Sequence, residues 1–139
     1  MRLISQFSVV RWTEKSYDEQ LPDGKKLSQA DIVYAVAGDL QGRAYVQSLM
    51  VYTCTDKTDP HKSEATYVSV WKFEGSLAGK EGSFILIEQG TYAGGSARGI
   101  LNIVSGSGSG ALQGIEGAGQ CTAEADRCML VMDCSAHVL

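Results

Sequence analysis

Glycine constrains this chain more than any other residue: eleven of its 16 glycines fall between Gly82 and Gly119. The stretch reads GSFILIEQGTYAGGSARGILNIVSGSGSGALQGIEGAG. Apolar runs of strand length alternate there with glycine corners, the pattern of short, strongly bent antiparallel strands. No segment before it carries a convincing helical period. The expected fold is therefore all-β, in one domain spanning residues 1–139.

Earlier in the chain, residues 6–12 alternate as a first strand, with Phe7, Val9 and Arg11 on one face and Ser8, Val10 and Trp12 on the other. Residues 14–26 are polar and hold the turn Leu21-Pro22-Asp23-Gly24, so they read as an exposed loop. Residues 27–38 and 43–53 form two long strands around a corner at 38–42. On the second, Tyr45, Gln47, Leu49 and Val51 share one face, with Ala44, Val46, Ser48, Met50 and Tyr52 opposite. Both faces are apolar enough to be covered. After a polar loop at 54–63, residues 65–74 set Tyr67, Ser69, Trp71 and Phe73 against Thr66, Val68, Val70 and Lys72. Strands at 83–91 and 97–104 flank Gly94-Gly95. A glycine-laced strand, or two short ones, occupies 112–121. Residues 127–137 suit a closing strand, or nearly as well a short helix capped by Asp126.

An open sheet of seven or eight strands exposes two edges, and closure removes them. Glycines at the corners permit the tight bends and close backbone approach of a small antiparallel eight-stranded barrel.

Charge and motifs exclude more than they assign. The net charge is −4, with no basic cluster beyond Lys25-Lys26, so a nucleic-acid surface is not expected. Polar residues interrupt the N-terminal apolar run, and no apolar run is long enough to span a bilayer. Cytoplasmic residence follows as the expectation, and with it four free cysteines at 54, 121, 128 and 134. The glycine run lacks the helix of a dinucleotide fingerprint and the lysine of a phosphate loop. His61, His137, the cysteines, Asp56, Asp59 and Asp133 do not fall at zinc or calcium spacings, so neither metal nor cofactor is expected. Cys134 lies near His137, but a structural thiol fits a chain end better than a nucleophile.

Three groups of residues carry a resemblance: Gly82-Ser83-Phe84-Ile85-Leu86, Gly90-Thr91-Tyr92, and the run from Val104 to Gly119. The corner at 38–42, the tetrapeptide Leu49-Met50-Val51-Tyr52 and the corner at 75–82 add to it. Over residues 7–119 the chain resembles a bacterial family of unknown function with an allene oxide cyclase-like barrel. The resemblance implies that fold and, from other proteins sharing it, an apolar cavity that restricts how a flexible molecule folds. It implies no activity, and no catalytic residue is carried over, since Gln47, Trp71 and Glu88 stand where relatives have acids or a histidine.

Polar groups on otherwise apolar strand faces supply the candidate site. Glu88 shares a face with Phe84 and Leu86, and Gln47 shares one with Tyr45. Tyr45, Gln47, Trp71 and Glu88 are the expected cavity lining. Glu88 there is a desolvated carboxyl able to anchor a ligand or move a proton. Three functions compete: a barrel binding a small, mostly apolar molecule; a cyclase or isomerase using the same cavity; and a barrel filled by its own side chains that acts through protein contacts. A homo-oligomer, dimer or trimer, is expected because residues 27–38 are apolar on both faces.

Overall fold

The computed structural model describes residues 1–56, 58–59 and 62–135. His61 and His137 lie outside them, as does the end of the C-terminal segment. The described chain forms nine strands: β1 (Arg2–Asp18), β2 (Lys26–Gly38), β3 (Leu40–Cys54), β4 (Glu64–Leu77), β5 (Lys80–Ala93), β6 (Ser96–Ile103), the two-residue β7 (Ser109–Gly110), β8 (Gly117–Glu124) and β9 (Arg127–Cys134). Eight of them run antiparallel in the order β4-β3-β2-β1-β9-β8-β6-β5, and pairing of β4 with β5 closes the ring. No helix among the described residues is long and apolar enough to cross a membrane.

Two-residue alternation accounts for the inside of the ring. On β3, Leu40, Ala44, Val46, Ser48 and Met50 are buried while their neighbours are exposed. On β4 the same alternation buries Ala65, Ser69, Trp71, Phe73 and Leu77.

Several sequence expectations need correction. The first strand runs to Asp18, so the supposed loop at 14–26 shrinks to residues 19–25, with a 3₁₀ turn at Pro22–Gly24 between β1 and β2. Backbone pairing such as Ser16↔Ser28 and Asp18↔Leu27 holds this polar half, not side-chain burial. A register shift between Val9 and Arg11 also moves the inward phase from odd to even residues, turning Trp12 to the side that Phe7 occupies. The C-terminal alternative resolves as strand through Cys134, paired with both β1 and β8. Leu112 and Ile115 belong to no strand; both are fully buried in the connection between β6 and β8.

That connection seals one end of the barrel. β7 pairs with Gly82 and Ser83 beyond the end of β6, and Ala111 N–H donates to the Glu81 carbonyl at 2.8 Å. A side chain at Gly82 would meet Leu112, so the glycine leaves the room that Leu112 fills. Beneath it, the rings of Phe73 and Phe84 stand 5.1 Å apart among Leu40, Leu77 and Met132. Each fully buried side chain of this size contributes about 1.5–3 kcal/mol of burial free energy to the packed base.

A cavity with a carboxyl at its floor

The opposite half of the barrel is hollow. A cavity of about 660 Å³ opens at the end carrying the β1–β2, β3–β4, β5–β6 and β8–β9 connections. Lys26, Tyr52, Asp56, Tyr92 and Glu124 stand around its mouth, and Phe7, Tyr34, Trp71 and Glu88 lie deeper. The sequence leaves this half empty by placing small side chains inward there: Ser48 and Ser69, joined at 2.9 Å, with Ala65, Ala97 and Ala123.

Glu88 reaches the interior by the alternation that also buries Phe84 and Leu86, and it is only 3% exposed. Its cross-strand neighbour on β4 is Ser69. The inward residues two positions either side of Ser69 are Tyr67 and Trp71, the diagonal neighbours that long side chains can span. Trp71 Nε1–H donates to Glu88 Oε1 at 2.9 Å, and Tyr67 Oη–H donates to Oε2 at 3.0 Å. The Cys121 thiol of β8 is a third donor to the same carboxyl group. Phe7, Tyr34 and Trp71 pack as a ring cluster beside it, with centroids 4.7–5.6 Å apart.

Burial is the largest influence on the Glu88 carboxyl and pushes its pKa up, against the opposing effect of the three hydrogen bonds. Burial also raises Tyr34, Tyr67 and Cys121, and the nearby Glu88 charge adds to each shift. Those groups stay protonated, and Tyr67 and Cys121 act as donors to Glu88. Lys26 is the one basic side chain among the described lining residues, and it sits at the mouth, 4.6 Å from the Tyr52 ring centroid.

Of the four residues expected to line the cavity, Trp71 and Glu88 do so and meet directly. Tyr45 and Gln47 do not. They face outward on β3, Tyr45 at 42% exposure and Gln47 beside Gln29. Both faces of β3 are apolar, so hydrophobicity did not decide its phase; the inner face is the one with the smaller residues. Tyr34, Tyr67 and Cys121 were missed. Tyr67 was legible, because it shares a strand face with Trp71.

A protein-family model described as "Protein of unknown function (DUF3224)" matches residues 3–132. The chain belongs to this family. A crystal structure of a DUF3224 protein with unknown function from Shewanella oneidensis MR-1 is similar in fold, with a TM-score of 0.79 at 24% sequence identity. The match covers 97% of this chain and 96% of that one. No curated protein matches. The bacterial family of unknown function and the barrel expected from the glycine-rich motifs are thus both found, and the family name assigns no activity to this DUF3224 chain.

Proposed function

We propose that this DUF3224 barrel binds one small, mostly apolar molecule in its interior. The observation that carries the reading is the cavity of about 660 Å³, closed at its base, walled by aromatic rings and bearing a buried carboxyl at its floor. That volume lies within the usual range for small-molecule sites, which are mostly apolar with few polar groups. It counts against a barrel filled by its own side chains. Native mass spectrometry of protein purified from its own host tests the reading. A co-purified small molecule, lost when Ser69→Phe fills the cavity, is the expected result. An empty wild-type protein that also takes up no apolar dye would overturn it.

A cyclase or isomerase using the same cavity is the second reading. It draws on Glu88 having titratable partners within hydrogen-bond reach, Tyr67 at 3.0 Å and the Cys121 thiol. Turnover abolished by Glu88→Gln with ligand affinity retained would favour it over binding alone.

The proposed setting is the cytoplasm, where four free thiols would persist. The proposed partner is a further copy of the chain. Leu49, Val51, Val68, Val70, Ile87 and Ile100 lie side by side on the outer face of β3–β6, between 41% and 62% exposed. Charges of both signs, Arg43, Lys72, Glu74, Glu64 and Arg98, stand only around this patch. An uncharged apolar centre within a mixed polar rim is the anatomy of an interface between like surfaces.

A further inference from the structure

We infer that the molecule held in this cavity is an organic cation, an apolar body carrying an ammonium or similar positive group that seats against Glu88 and the rings around it. The inference rests on the small-molecule reading above and names the chemistry of its occupant.

A missing counter-charge carries the argument. Among the described residues, the titratable groups that face Glu88 are Tyr34 from β2, Tyr67 from β4 and Cys121 from β8, with Cys128 of β9 beyond them; none of these is basic. Trp71 adds a further neutral donor. A buried carboxylate is ordinarily paired with a cation or held by hydrogen bonds that fill its lone pairs. Here three donors meet a group with room for about four, so acceptor capacity remains. All three stabilise the charged form, and none neutralises it.

The walls fit the same occupant. Phe7, Tyr34 and Trp71 cluster beside the carboxyl, Tyr67 touches it, and Tyr52 and Tyr92 stand at the mouth. Aromatic faces attract cations through the ring quadrupole, most strongly where water is excluded. Asp56 and Glu124 at the mouth bring further negative charge, opposed by Lys26 alone among the described lining residues. An anionic ligand would meet Glu88 with no basic group among the described residues at the floor to receive it. A neutral ligand could fill the volume but would leave the carboxylate uncompensated.

Three soluble probes sharing one skeleton test this: phenylhexylammonium, phenylhexanol and phenylhexanoate, titrated at neutral pH into the whole protein and read by tryptophan fluorescence. The ammonium should bind at least about tenfold more tightly than the alcohol, and the carboxylate most weakly. In Glu88→Gln the preference for ammonium over alcohol should shrink to about twofold or less. Equal binding of alcohol and ammonium by the wild type, which needs no variant to read, would overturn the inference and leave the cavity reading standing. So would a preference undiminished in a folded Glu88→Gln protein. Binding of none of the three would remove both.

Discussion

Gly99 lies directly against the Glu88 carboxyl: a Cβ built on Gly99 would collide with Oε2 and crowd the rest of that group. Gly99 pairs with Gly90 on β5 and Cys121 on β8, so backbone stands where side chains would otherwise fill the wall. Replacing Gly99 by alanine gains about 0.4–1 kcal/mol from a stiffer unfolded chain. Overpacking in a close-packed interior costs about 1–3 kcal/mol, and the larger effect sets the sign. Trp71 and Tyr67 hold the carboxyl from its other sides, leaving it no easy retreat. Gly99→Ala should therefore destabilise, and less so in a Glu88→Ala background, where the crowded atoms are gone. Chemical denaturation of the four proteins of that cycle checks it; additive effects would contradict the contact.

Glu88 should make stability depend on pH in one direction. Its folded pKa lies above the ordinary carboxyl value of 4.5, chiefly through burial. Between those two values the native protein keeps a proton that the unfolded chain has released, so stability falls as pH rises through the window. The contribution of the protonated carboxyl is complete below the ordinary value and lost above the folded one. Glu88→Gln removes this dependence. The unfolding free energy of wild type minus variant, from urea titrations across pH, should decline through the window and then level off. A difference that rises with pH would mean a carboxyl stabilised in its charged form instead.

The four thiols should separate by reactivity. Cys54 is exposed, Cys128 partly covered, and Cys121 and Cys134 are buried. Burial raises the pKa of Cys121, Cys128 and Cys134, and reaction with a disulfide reagent proceeds through the thiolate. Native protein should show one fast thiol, abolished by Cys54→Ser, while denatured unreduced protein shows all four. Recovery of two or fewer after denaturation would reveal disulfides.

Val70 and Ile87 face each other across β4 and β5 at the centre of the outer apolar patch. Sedimentation equilibrium of the wild type should give two or three copies at micromolar concentration. Val70→Lys with Ile87→Lys should yield a monomer that keeps its melting behaviour, since both side chains are solvent-facing within one chain. A monomeric wild type would remove the interface.

Closure of the sheet was readable from glycines spaced between apolar runs, because few other architectures use so many close backbone approaches. The phase of β5 was readable too, since Phe84, Leu86 and Glu88 recur every second residue. The polar end of β1 was not, because ladder hydrogen bonds leave no hydrophobic pattern behind. Nor was the inner face of β3, where a cavity reverses the usual rule: the wall beside empty space carries serine and alanine, while larger apolar groups such as Tyr45 and Leu49 face out. Trp12 eluded alternation for another reason. The single extra residue at Val10 shifts its side of the strand, and nothing in the local composition announces it.

The plug formed by Leu112 and Ile115 makes the barrel a vessel rather than a conduit. A molecule that enters must leave by the same mouth, and the water it displaces must pass it on the way. If a guest binds as proposed, how long it stays depends on the four connections around the rim, whose sequences can change while the floor stays the same.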